Sequence, residues 1–158
     1  STPLVVFWPA GIKEKNTIRH ELVHIIDIMP TCLKISGATY PESHKGKEII
    51  PAQGMNIFDV LENTTNEERT LFWEHEGNRA IRKGKWKLVS EYPGTWITVR
   101  AYEKKGEWEL YNMEIDRTEM NDVSGQNLKM VEVLSKEWQQ WADRSMVLPW
   151  EKVLTGDY

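Results

Sequence analysis

His20-Glu21-Leu22-Val23-His24 is a literal H-E-x-x-H. On a helix, histidines four residues apart lie on one face and can share a zinc ion, with the intervening glutamate as general base for a metal-bound water. Glu42 or Glu48 downstream would complete a three-ligand site with an open fourth position. The chemistry would be zinc-dependent hydrolysis, with His20 and His24 as metal ligands and Glu21 as base. The helix is the condition for it. Leu22, Val23, Ile25, Ile26 and Ile28 form a dense, largely β-branched run that disfavours a helix, and Asp27 followed by Pro30 predicts a helix beginning after His24. In an extended segment, residues four apart stand about 13 Å apart, whereas two nitrogens bound to one zinc lie only about 4 Å apart. Read as a strand, the segment carries two surface histidines and no metal.

Cys32 is the only cysteine, which excludes an internal disulfide and any multi-cysteine zinc or iron–sulfur cage. On a helix it reads as a small apolar residue. The charge balance excludes other classes of function. Twenty Lys and Arg against twenty-four Asp and Glu give a formal net charge of −4, without the clustered positive charge that nucleic acid or an anionic membrane recruits. No apolar run approaches the roughly 18 residues needed to span a bilayer. With 158 residues, 40% of them hydrophobic and 28% charged, the composition is globular. A chain of this length can bury about 70% of its unfolded surface. The start, Ser1-Thr2-Pro3-Leu4-Val5-Val6-Phe7-Trp8-Pro9, has no Met and no signal-peptide pattern, and reads as a fragment or processed chain.

The elements that would position these groups fall into two parts. Leu4–Trp8 is apolar on both faces and predicts an interior strand stopped by Pro9 and Gly11. Glu21–Ile26 reads as extended. Asp27 then N-caps a helix from Ile28, with Ile28, Cys32 and Ile35 on its apolar face and Gly37 ending it. Residues 38–54 read as loop, and Ile57–Leu61 as a helical turn. From Thr70 the pattern turns to strands at Thr70–Trp73, Arg79–Arg82, Trp86–Ser90, Thr95–Tyr102 and Trp108–Tyr111, with hairpin spacing around Lys83-Gly84-Lys85. Lys83, Lys85 and Lys87 read as one solvated face. Leu128–Asp143 is a long amphipathic helix with Val131, Leu134, Trp138 and Trp141 at helical spacing. Strands followed by a helix predict an α+β unit, a small antiparallel β-sheet packed on one long C-terminal helix.

Several phrases occur in an order that resembles the C-terminal part of a sulfatase of the arylsulfatase type, in the alkaline-phosphatase-like superfamily. They are Pro3-Leu4-Val5-Val6-Phe7-Trp8-Pro9; His24-Ile25-Ile26-Asp27-Ile28-Met29-Pro30-Thr31 with Gly37; and Pro51-Ala52-Gln53-Gly54 with Ile57 and Leu61. Further along come Glu76-Gly77-Asn78-Arg79-Ala80-Ile81-Arg82 with Gly84, Trp86, Lys87 and Leu88; Trp108-Glu109-Leu110-Tyr111-Asn112 with Asp116, Thr118, Glu119, Asn121 and Asp122; and Leu148-Pro149-Trp150. The resemblance implies that residues 1–62 are a strand-helix remnant of a larger α/β catalytic domain, and residues 63–158 the C-terminal subdomain. It also implies a parent enzyme that hydrolyses sulfate esters with a formylglycine nucleophile and Ca²⁺, in a family whose members are commonly exported.

This chain departs from the family at the chemistry. The formylglycine precursor lies in a C/S-x-P-S/A-x-R phrase, and Cys32 sits in Thr-Cys-Leu-Lys-Ile-Ser, without the Pro or the Arg. No catalytic residue carries over. The resemblance places the nucleophile and the Ca²⁺ ligands before Ser1, and predicts that these residues alone are inactive. Its partner would be the missing N-terminal catalytic domain, and through the parent a sulfated small molecule or glycan. In the family the C-terminal subdomain helps wall the substrate pocket, and the segment Trp73–Arg79 suits that place. His75, Glu76, Asn78 and Arg79 are the candidate substrate-binding residues, groups able to orient a sugar or an anionic ester. A different class of function, a carbohydrate-binding module, is suggested by eight tryptophans, although Trp86, Trp108, Trp138 and Trp141 read as core and leave Trp96 and Trp150 undetermined. The unpaired edge of Leu4–Trp8 predicts self-association.

Overall fold

A computed structural model of the chain describes residues 2–62, 69–92 and 106–157. They form two compact units that meet in sequence between Asn66 and Glu67. The predicted strand at Thr95–Tyr102 lies outside the described residues.

In the first unit, a 3₁₀ turn at Ile25–Asp27 leads into α1 (Ile28–Ser36), which Gly37 ends in the left-handed conformation at φ 68°. The short hairpin of β1 (Ser43–His44) and β2 (Lys47–Glu48) interrupts the predicted loop, and α2 (Ile57–Leu61) has the predicted bounds. The polar centre of this unit is Asp27, which is fully buried. Its carboxylate accepts the backbone N–H of His24 at 2.7 Å and of Met55 at 2.9 Å. One turn on, the Thr31 hydroxyl donates to the Asp27 carbonyl at 2.6 Å and accepts from the Ile57 N–H at 2.9 Å. The Asp-x-x-Pro-Thr phrase thus staples the start of α1 to the segment entering α2. Gly54 belongs to the staple, because a Cβ there would collide with the Ile26 carbonyl.

Three expectations for this unit are corrected. Leu4–Trp8 forms no strand; Val5 and Phe7 are 89% and 88% exposed, while Trp8 packs its ring on Phe58. A β-type run becomes a strand only where a second strand takes its N–H and C=O groups, and β1 and β2 pair with each other. Asp27 makes no side-chain bond at the start of α1. It closes a capping box on the preceding 3₁₀ turn instead. The predicted apolar face of α1 is exposed at Ile28, Cys32 and Ile35, and Thr31 is the buried residue.

The second unit is α+β. Its sheet has the order β3 (Thr70–His75), β4 (Asn78–Lys83), β5 (Trp86–Ser90) and β6 (Glu109–Asn112), antiparallel throughout. The register sets Phe72 beside Ile81, Ile81 beside Leu88 and Leu88 beside Leu110. Because side chains alternate along a strand, this row shares one face, and α3 (Leu128–Arg144) packs Leu134, Trp138 and Ala142 on it. Phe72 stacks on Trp141 with ring centroids 5.2 Å apart, and the Trp138 indole N–H donates to the Trp73 carbonyl at 3.0 Å. The outer edge of β6 is closed by the chain that follows. Asp122 accepts the Leu110 N–H at 3.0 Å and the Val123 N–H donates to the Leu110 carbonyl at 2.9 Å, which removes an edge open to aggregation.

The three lysines do not share a face. The Gly84-Lys85 turn leaves Lys83 on the helix side, paired with Glu137 at 2.7 Å, and Lys87 on the other side, paired with Glu119 at 2.6 Å. Trp108 precedes β6 rather than opening it. The helix α4 (Trp150–Thr155) was not foreseen.

Candidate functional site

The hairpin that carries the candidate residues turns at Glu76 and Gly77, with φ of 52° and 81°. Two consecutive positive φ values are the signature of the type I′ turn that joins tightly paired strands. The Glu74 carboxylate accepts the Gly77 N–H at 2.9 Å and steadies the turn. Asn78 ties it to the next loop: its amide nitrogen donates to the His75 carbonyl at 2.8 Å and its amide oxygen accepts the Tyr92 N–H at 3.0 Å. Gly77 is required by space as well as by φ, since a Cβ there would lie 2.7 Å from the Tyr92 ring.

Sheet parity divides the candidates between two faces. His75 alternates with Trp73 and Leu71, on the face away from α3; Asn78 lies opposite His75 and shares that face. Arg79 lies opposite Glu74 and Ser90, on the face toward α3. Its guanidinium carbon stands 4.4 Å above the Trp108 ring and 5.5 Å from Trp138. One Nη donates to the Ser90 hydroxyl at 2.9 Å and the Gly106 carbonyl at 3.2 Å. Burial draws the guanidinium below its ordinary value, with the Glu151 carboxylate opposing, and an arginine stays charged throughout. Its head is wedged between two tryptophans.

A cavity of about 370 Å³ opens on the helix-free face, walled by Trp73, His75, Asn78 and Val89 and rimmed by Glu91, Glu107 and Glu109. Arg79 and Ser90 reach its boundary. Of the four candidates, His75 is the exposed one with its ring at the cavity, Asn78 is committed to the turn, and Glu76 lies in the turn itself outside the lining. The sequence reading missed the three glutamates. Glu107 and Glu109 have the parity of Val89 in the β5–β6 register, a signal available only once the pairing is known. What this arrangement can do chemically is hold a polar ligand through hydroxyl, amide and carboxylate groups beside an indole; among the described residues that line it, no nucleophile is paired with a base.

The H-E-x-x-H segment has neither of the forms weighed for it. Residues 17–24 lie in neither helix nor strand, and His24 is the N-cap of the 3₁₀ turn, its Nδ1 accepting the Ile26 N–H at 3.5 Å. Glu21, the would-be base, is bound to Arg19 at 2.8 Å, and that hydrogen bond holds its carboxyl below the usual range. Arg19 also donates to the Leu61 carbonyl. Among the described residues, no group of three or more His, Cys, Asp and Glu is placed to hold a metal ion. The two imidazoles therefore lack the helix that would aim them at one zinc.

Comparison with known proteins bears on the whole chain. Residues 1–145 match the family described as N-sulphoglucosamine sulphohydrolase, C-terminal. An uncharacterized sulfatase of Schizosaccharomyces pombe is 30% identical over 141 residues, covering 86% of this chain and 24% of that protein. An N-acetylglucosamine-6-O-sulfatase of Bacteroides thetaiotaomicron is 23% identical, covering 89% of this chain and 25% of its own length. Among solved structures, one in complex with its substrate D-glucosamine-2-N,6-O-disulfate superposes with a TM-score of 0.53 at 22% identity, over 80% of this chain and 25% of the other. That likeness is one of fold. The chain thus spans about a quarter of the length of these relatives.

Proposed function

The chain belongs to the sulfatase family, whose C-terminal region it matches over residues 1–145, and from that premise we propose that it is the pocket-walling C-terminal part of an arylsulfatase-type sulfuric-ester hydrolase. The observation that carries the reading is the family match over nearly the whole chain, taken with relatives about four times longer. The chemistry of sulfate-ester cleavage needs an activated nucleophile and cations at the developing charge. In this proposal a formylglycine and Ca²⁺ supply them from sequence outside these 158 residues, in a parent that is exported and acts on a sulfated small molecule or glycan.

Within that assembly, His75 faces the substrate from the cavity of the helix-free face, and Glu76, Asn78 and Arg79 hold the rim in shape. Residues 1–62 are the portion that completes the larger α/β domain, and the exposed apolar side chains of this unit, Val5, Phe7, Ile25 and Ile28 among them, would be covered there by the catalytic domain. The test is nitrophenyl sulfate turnover by purified protein. The 158-residue chain is expected to release no nitrophenol above the rate in buffer, while the same gene product with a catalytic portion does. Turnover by the chain alone would overturn the reading.

A further inference from the structure

A second cavity, of about 360 Å³, lies on the helix side of the second unit. Its lining runs from Trp150 and Glu151 at the start of α4 past Tyr92 to Gly77 at the hairpin turn. Helix α4 lies past residues 1–145, the stretch that matches the family, and it is held differently from the rest of the unit. Up to Val147 the chain is anchored: the Val147 N–H donates to the Ala142 carbonyl at 2.9 Å and its side chain packs against the core cluster. From Leu148 to Asp157 only Trp150 and Val153 are half-buried, and Leu154 is 63% exposed.

The six residues of α4 are too few to keep a helix in water, because its first turn fixes several dihedral angles for a single hydrogen bond. The helix therefore persists only while it is docked, and its undocking is a local opening of low free energy. At its first turn the Glu151 side chain is hydrogen-bonded by the Tyr92 hydroxyl. Desolvation and the Glu151 carboxylate raise the phenol above its ordinary value, so it stays protonated and donates.

Tyr92 also holds the hairpin turn. Its ring occupies the space beside Gly77, where a Cβ would come within 2.7 Å of it, and its N–H donates to the Asn78 amide oxygen at 3.0 Å. Asn78 extends the restraint by donating its amide N–H to the His75 carbonyl at 2.8 Å. One residue thus meets α4 with its hydroxyl and the turn with its ring and backbone. Once either partner has ordered Tyr92, the other pays less to order against it, and the effect is reciprocal. We propose that α4 is a strap that docks and undocks as a unit, and that Tyr92 couples its docking to the order of the Glu76–Gly77 turn beside His75. The coupling belongs to these residues and stands whether or not His75 meets a substrate.

The test is amide hydrogen exchange of the whole 158-residue chain, read residue by residue by NMR. Tyr92→Phe removes the hydroxyl and keeps the ring. It is expected to speed exchange of the Lys152 and Asp157 amides, which donate within and just after α4, by about tenfold. The Gly77 amide should follow by about threefold, while Leu88 in the middle of the sheet exchanges as before. Glu151 is exposed, and Glu151→Gln keeps an acceptor without its charge; it should speed the same amides in the same order, by about threefold at α4. From the other end of the relay, Asn78→Ala should speed Lys152 and Asp157 by about threefold. A strap without protection in the unaltered chain, α4 amides unmoved by Tyr92→Phe and Glu151→Gln, or α4 amides unmoved by Asn78→Ala would each overturn the proposal.

Discussion

Arg79 is the residue at which a substrate ligand and a structural wedge make opposite predictions. Replacing it with Ala removes a charged donor shared by the Ser90 hydroxyl and the Gly106 carbonyl, a hydrogen-bonded contact of about 1.5–3 kcal/mol. It also removes a cation from above Trp108 and beside Trp138, at about 0.5–1 kcal/mol in a partly exposed setting. Ser90 is buried and would be left with a single acceptor in place of two partners. Together these give a loss of about 3 kcal/mol, a large share of the 5–15 kcal/mol that holds a domain folded. Seven of the eight tryptophans lie in residues 67–158, so intrinsic fluorescence in urea follows this unit. With a denaturant slope of about 1.5 kcal/mol per molar, the midpoint should fall by about 2 M. Arg79→Lys keeps the charge near Trp108 and loses the planar fork, so about half of that fall is expected. A midpoint unmoved to within about 0.3 M, with altered KM in the longer enzyme, would refute the wedge and make Arg79 a substrate ligand.

Three further outcomes follow from the same reasoning. The Asp116 carboxylate accepts N–H bonds from Asn121 and Met120, which hold it below the usual carboxylate range. A carboxyl depressed in the folded state stabilises above its unfolded value near pH 4 and loses that contribution as pH falls through the folded value; Asp116→Asn should flatten this acid limb in pH-dependent unfolding, and an unchanged limb would count against it. Asp27→Asn replaces one acceptor oxygen by a donor facing an N–H, and should cost the first unit about 2 kcal/mol, seen as faster exchange of the Met55 amide, with unaltered exchange as the contrary result. The exposed apolar side chains at Val5 and Phe7 should drive concentration-dependent association; a monodisperse monomer by light scattering at high concentration would tell against this.

The second unit was legible because its signals are local. β-branched and aromatic runs, a glycine at each tight turn and a helix stripe of Leu134, Trp138 and Trp141 agree with one another, and where every level agrees the fold is specified. The first unit was less so. Leu4–Trp8 has a strand's composition without a strand beside it, and Asp27 has a cap's chemistry but serves the turn before the helix. The H-E-x-x-H failed on the geometry its spacing presupposes. At the candidate site, the hairpin was readable from Glu76-Gly77-Asn78, but the division of His75 from Arg79 was not. It follows from parity across paired strands, and Ser90, Glu91, Glu107 and Glu109 join the site only through a register that one strand alone does not reveal. Trp150 sits on a six-residue helix, too short for a periodic signal.

Carboxylates are prominent among the described residues that line both cavities. On the helix-free face the cavity is rimmed by Glu91, Glu107 and Glu109, and on the helix side the lining carries Glu74, Glu91 and Glu151. Among the described residues Arg79 is the cation common to both linings, and one of its Nη groups is turned to Ser90 and Gly106. Lys83 and Lys87 are drawn off to Glu137 and Glu119, toward the opposite end of the strands. A sulfate group brought to either cavity would meet these carboxylates at short range. Carboxylates accept hydrogen bonds from hydroxyls and repel anions. If these cavities face substrate in the longer enzyme, they grip the uncharged part of it, and by repelling sulfate they favour the pose that leaves the ester at the cations of the catalytic domain. Discrimination of that kind rests on the repulsive element as much as on the attractive one. It predicts that neutralising Glu91 or Glu107 to Gln relaxes the choice among sulfation positions in the longer enzyme while leaving its kcat on nitrophenyl sulfate unchanged, and retention of the same positional preference would remove the repulsion from the account.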